Sequence, residues 1–276
     1  MLSRSVPLVL SALVIACSSV EDRRAAPPET TAREAPPAVA APETIPEPRE
    51  VRFQASDGVT IAGTLQPGGR ADAPLVILVH QLGGSRAEWA PLLERLRERP
   101  AVATLAIDLR GHGESTSGPA GATLSWRELD NAQWALTTED VLAARDFVRS
   151  GESGLTPSRV GIVGSSIGSS AAIAAAARSG EDVHAIAALS PGRAYRGFDA
   201  ITPATQLGER PFLAIVGQEE TDSVETARAM ARITGGEAVV VDGSAHGLAL
   251  LRGSPELLGR LETFLRTSLG AEREDG

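Results

Sequence analysis

The chain has 276 residues, 42% of them hydrophobic and 22% charged, which is enough for one sizeable domain. Its net charge is −9, and all 26 basic residues are scattered arginines, which excludes the basic stripe that nucleic acid needs. The four histidines (His80, His112, His184, His246) stand far apart with no H-E-x-x-H or Cys/His cluster, and no G-x-x-x-x-G-K-[ST] is present, so neither a metal centre, a phosphate-cradling loop nor an organic cofactor is expected.

The chain opens with "MLSRSVPLVLSALVIACSSV". Arg4 precedes an apolar run from Val6 to Ala16, which is about half the ~20 residues a spanning helix requires, so residues 1–17 read as a signal peptide. "VIAC" resembles a bacterial lipobox, with Ala16 small and Cys17 the lipid acceptor; the single cysteine has no second thiol for a disulfide. The alternative is an ordinary secretory signal. On either reading the protein is exported, and on the first it is lipid-anchored in the bacterial cell envelope. Residues 18–49 are rich in Pro, Ala and Glu and nearly free of large apolar side chains, so they are expected to form a disordered tether. The folded unit is expected over 50–270, with a disordered tail at 271–276.

From Val51 onward, strand-length apolar runs alternate with amphipathic stretches. "VRFQAS" and "VTIAGTL", split by Asp57-Gly58, predict a hairpin. "APLVILVH" predicts a strand buried on both faces. "SRAEWAPLLERLRER" predicts a helix with Ser85 as N-cap, Glu88 closing a capping box and Trp89, Leu92, Leu93 and Leu96 on one face. "AVATLAID" is a strand, and a helix over Thr138 to Ser150 stops near Gly151. "RVGIVG" is a strand leading into the helix "SSAAIAAAARSG". "VHAIAALS" and "PFLAIVG" are strands, a helix runs from Ser223 to Ile233, and "EAVVVDG" is the last strand. The final helix starts at Ser254-Pro255 and turns Leu257, Leu258, Leu261, Phe264 and Leu265 inward. This alternation predicts an α/β fold: a mostly parallel twisted sheet of about eight strands with helices on both faces and ligands at the carboxyl ends of strands.

G-x-S-x-G occurs once, at Gly164-Ser165-Ser166-Ile167-Gly168, between a predicted strand and a predicted helix. A serine on so sharp a turn has a strained backbone that lifts its hydroxyl clear of the sheet, and residues two before and two after it must be small. Centred on Ser166 those neighbours are Gly164 and Gly168, whereas Ser165 or Ser169 would place Val163 or Ile167 there. The bland alternative is a Gly/Ser helix entry without chemistry. A serine nucleophile needs a base and the base an acid, ordered Ser, acid, His in this architecture. His184 opens a strand at the wrong end of the sheet, while His246 lies just past the carboxyl end of the last strand. For the acid, Glu219, Glu220 and Asp222 follow "PFLAIVG" and Asp199 follows the strand before it; Asp222 or Ser223 already serves as a helix cap, which leaves Glu220 first and Asp222 second. Oxyanion donors are expected from the N–H of Ile167 and from the loop "HQLGGS", at Leu82 or Gln81.

On these motifs the folded unit resembles the α/β-hydrolase superfamily. "HQLGGSRAEW" is similar to the family's oxyanion loop, "DLRGHGES" to the loop after its next strand and "GSSIGS" to its nucleophile elbow, while "LSPGRAYRG" resembles dienelactone-hydrolase-like bacterial members. Gln81 stands where many members have glycine, and glutamate rather than aspartate stands at 220. Dienelactone hydrolases proper use cysteine, so Ser166 stands against that substrate. His80 and His112 belong to the loop motifs, where they are expected to bond backbone; Trp126 and Trp134 are expected near the pocket mouth or packed on a helix face. About 20 residues separate "LSPG" from "RPFLAIVG", too few for a helical cap. The resemblance implies a serine esterase acting on small or exposed acyl groups. The rivals are a non-catalytic surface binding module, and acyl transfer or amide cleavage by the same three residues.

Overall fold

The computed structural model describes residues 46–271. The expected signal peptide, Cys17 and the tether up to residue 45 lie outside the described residues, as do residues 272–276.

Arg49–Gln54 (β1) and Thr60–Gln66 (β2) form the expected antiparallel hairpin, and Gly58 sits in its turn at φ +84°, where a side chain would be strained. The continuous apolar runs become Leu75–Val79 (β3), Ala103–Ile107 (β4), Val160–Ser165 (β5) and Ala185–Leu189 (β6), every residue of which is buried. A short hairpin of Ala194–Tyr195 (β7) and Phe198–Asp199 (β8) precedes Phe212–Gly217 (β9) and Glu237–Val241 (β10). The main sheet has eight strands in the order β1-β2-β4-β3-β5-β6-β9-β10, parallel from β4 to β10.

The helices are Ala90–Arg97 (α1), Asn131–Ala135 (α2), Thr137–Arg149 (α3), Ile167–Ser179 (α4), Ile201–Ala204 (α5), Thr221–Thr234 (α6) and Pro255–Leu269 (α7). Alternation along each strand splits the core in two. In β3, Leu75, Ile77 and Val79 face the layer of α3, α4 and α6, whereas Val76 and Leu78 face that of α1 and α7. Leu261 and Leu265 of α7 are fully buried against the second face, each contributing about 1.5–3 kcal/mol by leaving water. Ser254 caps α7 as expected, accepting from the Leu257 N–H at 3.3 Å.

Two expected caps do not form. Ser85 makes no side-chain cap bond: the Glu88 N–H donates to the Ser85 backbone carbonyl at 3.1 Å instead, the Arg86 N–H donates to Asp108 at 2.7 Å, and the Glu88 carboxylate turns away to Arg252. The first turn there is a 3-10 helix, Arg86–Trp89, before α1 begins. Helix α6 starts at Thr221 rather than Ser223, so Asp222 lies exposed in its first turn and caps nothing.

The loop after β4 is held by a buried ion pair. Arg110 gives three hydrogen bonds to Asp140 of α3, at 2.9, 2.9 and 2.6 Å, and the Arg110 and Asp140 side chains are 3% and 0% exposed. Asp57 takes the remaining guanidinium edge at 2.6 Å. Burial pushes the Asp140 carboxyl up to about 6, yet it stays ionised at neutral pH. Replacing Asp140 by alanine strands half of a buried charge pair, and urea unfolding should show a loss of about 3–5 kcal/mol; a change below about 0.5 kcal/mol would place no weight on the pair.

Candidate active site

Strand order reverses at β3, whose neighbours are β4 on one side and β5 on the other. The loops leaving the carboxyl ends of β3 and β5 therefore diverge and open a crevice, the place where such sheets bind ligands. Val79 pairs with Gly164 in register, so His80–Gly84 and Ser165–Ile167 emerge side by side.

Ser166 is the pivot of the strand-to-helix turn at φ 53°, ψ −119°, a conformation few side chains accept. The two glycines around it are required by contact. A Cβ on Gly164 would overlap the Gly168 carbonyl, and one on Gly168 would overlap the backbone carbonyls of Val79 and His80. The elbow is thus wedged against β3, which fixes the height of the Ser166 hydroxyl.

The structure brings Ser166, His246 and Glu220 into one chain of hydrogen bonds. Ser166 Oγ lies 2.8 Å from His246 Nε2, and His246 Nδ1 contacts Glu220 Oε1. With a carboxylate at Nδ1, the imidazole carries its proton there and offers Nε2 as acceptor to the serine. Glu220 Oε2 accepts from Ser190 Oγ at 2.6 Å and from the Gly217 N–H at 3.2 Å, so each oxygen of the carboxylate is bonded. Asp222 is not on the imidazole; it lines the crevice from α6. Glu219 is exposed, and Asp199 is spent on the Ile201 N–H at 3.0 Å, opening α5. His184 stands at the amino end of β6, accepting from the Val160 N–H at 3.3 Å.

Leu82 and Ile167 both line the crevice. Their N–H directions follow from peptide planarity, which sets each N–H opposite the preceding C=O. The Gln81 carbonyl accepts inward from His80 Nδ1 at 2.7 Å and from the Gly84 N–H at 3.0 Å, and the Ser166 carbonyl accepts from the Ser169 N–H at 2.9 Å. Among the described residues neither the Leu82 nor the Ile167 N–H has an acceptor. Two unspent donors thus border the crevice that holds Ser166, and the start of α4 adds its positive end.

His80 and His112 hold this loop from below. The Leu109 N–H donates to His80 Nε2 at 3.0 Å, and the Gly83 N–H to His112 Nε2 at 3.1 Å. The rings meet edge to face at 4.8 Å, and His112 stacks on Trp126 at 5.5 Å. Burial drives both imidazoles toward the neutral form, His80 to about 4. Trp134 is fully buried beside His112, and neither tryptophan lines the crevice.

The crevice encloses about 710 Å³, with Ile167, Ser170, Ile201, Thr226 and Ala229 inside and Arg193, Asp222 and Glu225 exposed. The segment between β6 and β9 holds only the β7–β8 hairpin and α5, so no cap covers the crevice. Among the described residues no group of three or more His, Cys, Asp or Glu side chains forms a metal cage. Ser190 escaped the sequence reading. The signal for it was a serine at the carboxyl end of the strand beside the elbow, in "LSPG", on the edge where a polar side chain meets the others.

Two outcomes follow. Gly164→Ala should leave the elbow unable to close, lowering the melting temperature and the yield of folded protein; normal stability would refute the wedge. For His80, the unfolded chain binds its proton at the ordinary 6.5 and the folded protein only near 4, so stability falls as pH drops through that window. By urea unfolding, the advantage of wild type over His80→Asn should shrink by roughly 3 kcal/mol from pH 7 to pH 4; a pH-independent difference would contradict the neutral imidazole.

Residues 74–211 match the family model described as alpha/beta hydrolase fold. No curated protein sequence matches the chain. Among solved structures, an esterase of Pyrococcus furiosus superposes with a TM-score of 0.65 at 19% identity, covering 81% of this chain and 91% of the other. A dienelactone hydrolase of Anabaena variabilis gives 0.58 at 21% identity over 80% and 96%. Est1E of Butyrivibrio proteoclasticus, solved with ferulic acid bound, gives 0.62 at 18% identity over 79% and 99%.

Proposed function

This chain belongs to the α/β-hydrolase fold family, and on that premise we propose that it is an exported, lipid-tethered serine hydrolase that cleaves carboxylic esters of small or exposed acyl groups. The observation that carries this reading is the continuous Ser166–His246–Glu220 chain beside two unspent N–H donors.

The chemistry follows from the geometry. As Ser166 Oγ attacks the ester carbonyl carbon, its proton passes to His246 Nε2, 2.8 Å away. Glu220 stabilises the imidazolium and keeps the ring in its tautomer. The carbonyl oxygen gains charge where the Leu82 and Ile167 N–H groups and the start of α4 are already aimed. Collapse of the tetrahedral adduct breaks the ester C–O bond, the imidazolium returns its proton to the departing alcohol, and an acyl-Ser166 remains. Water then repeats the sequence, giving its proton to His246 and releasing the acid. No step calls for a metal or an organic cofactor.

The open, uncapped crevice supports small or exposed acyl groups. The resolved esterase folds it resembles are consistent with ester substrates. For the tether, support comes from the apolar run Val6–Ala16 ahead of Cys17 and the Pro/Ala/Glu-rich segment after it.

With p-nitrophenyl butyrate, wild type should turn over and Ser166→Ala should lose about 10⁴-fold or more in kcat/KM while melting no lower than wild type. Turnover surviving in the variant would remove Ser166 as nucleophile. In cells, Cys17→Ser should move the protein out of the membrane fraction; its retention there would refute the lipid anchor.

A further inference from the structure

The His246 side chain is 51% exposed, against 13% for Glu220. A ring that open to solvent is not positioned by packing, so beyond its bonds to Glu220 and Ser166 its aim depends on the loop that carries it. The next two backbone amides are both claimed by buried or loop-anchored side chains. The Gly247 N–H donates to Ser190 Oγ at 2.8 Å, and the Leu248 N–H donates to Gln81 Oε1 at 3.2 Å.

Each of those side chains also reaches another member of the site. The Ser190 hydroxyl donates a hydrogen bond to Glu220 Oε2 at 2.6 Å. Gln81 Oε1 also accepts from Ser165 Oγ at 3.1 Å, on the residue before Ser166. One amide after the imidazole is therefore tied to its acid, and the next to the strand that carries its serine. The fold is committed to this arrangement at two further points. Ser190 is fully buried and held at φ 49°, in the left-handed region a serine seldom enters. Gly247 sits at φ 58°, and a Cβ there would overlap the Gln81 amide and lie 2.6 Å from Ser165 Oγ, so only glycine lets the loop come this close.

We propose that Ser190 and Gln81 are positioning residues that clamp the His246 loop, setting the imidazole between Glu220 and Ser166 through the Gly247 and Leu248 amides. Neither touches a reacting atom: Gln81 acts through the loop, and Ser190 through the loop and through its bond to Glu220. The kinetic part of this proposal rests on the serine-hydrolase reading above, whereas the clamp itself is a property of the backbone.

The test has two arms. In wild type, hydrogen exchange followed by NMR should show the Gly247 and Leu248 amides exchanging slowly although His246 beside them is exposed; Ser190→Ala should speed Gly247 and Gln81→Met should speed Leu248. Fast exchange of both amides in wild type, or unchanged exchange in both variants, overturns the clamp without reference to activity and whether or not a variant folds well. In the second arm, active sites are titrated with diethyl p-nitrophenyl phosphate and kcat per titrated site is measured with p-nitrophenyl butyrate. Ser190→Ala should lower it by tenfold or more, up to about 100-fold, and Gln81→Met by a smaller factor, with KM within about twofold. A merely structural role would reduce the titratable fraction and leave kcat per site at the wild-type value, which would overturn the proposal. A wild type that neither titrates nor turns over removes the hydrolase reading instead.

Discussion

The site depends on a steric condition at the start of α4. The helix must enter so close to β3 that a Cβ at Gly168 would collide with the Val79 and His80 carbonyls, and the chain must reverse within one residue to get there. That residue is Ser166, and its φ of 53° stores strain of the order of 1–3 kcal/mol, supplied by the surrounding buried strands. The strain is tolerable because β5 is buried along its whole length and α4 packs with the first core layer through Ala171, Ala172, Ile173, Ala175 and Ala176. Small side chains on α4 are what allow the helix to lie so near the sheet. Three consequences share this origin: the hydroxyl stands clear, the Ile167 N–H is left unspent beside it, and the positive end of a 13-residue helix points at the same place.

Around this rigid pivot the remaining groups are arranged by hydrogen bonds of graded burial. Beneath the crevice, two neutral histidines accept from loop amides in a fully buried setting, where a charge would be costly, and so hold the Gln81–Gly84 turn without competing as bases. At the crevice itself, His246 is half open to water and bonded to Glu220 and Ser166. The same side chain thus has two uses in one fold, divided by solvent access. Arg86–Asp108 and Arg110–Asp140 anchor the start of the loop after β4, which explains how Asp108 and Arg110 can lie buried there as charged groups.

What was legible in the sequence was what neighbouring residues decide. The elbow is a local motif, and the choice of Ser166 over Ser165 rested on the volume of residues two positions away, a test the Cβ contacts of Gly164 and Gly168 satisfy. The strands were readable because parallel strands buried on both faces leave continuous apolar runs. The placement of His246 followed from strand direction alone. The choice of Glu220 reached the residue that bonds the imidazole, but by a reason that fails, since Asp222 does not cap α6. The caps at Ser85 and Asp222 are not made because the Glu88 N–H bonds the Ser85 backbone carbonyl in one case and an earlier helix start removes the need in the other. Ser190 and the Gln81 side chain were invisible as a pair, because their partners at 165, 220, 247 and 248 come together only through the register of β3, β5, β6 and β9.

The central claim is that the hydroxyl at 166, and no other of the four serines in "SSIGSS", is the nucleophile. Treatment with a fluorophosphonate followed by proteolysis and tandem mass spectrometry locates the adduct directly. One phosphonyl group on Ser166, absent when His246 is replaced by alanine, is the result expected from the hydrogen-bonded chain described above. An adduct on Ser165, Ser169 or Ser170, or a folded protein that takes up none, would contradict it.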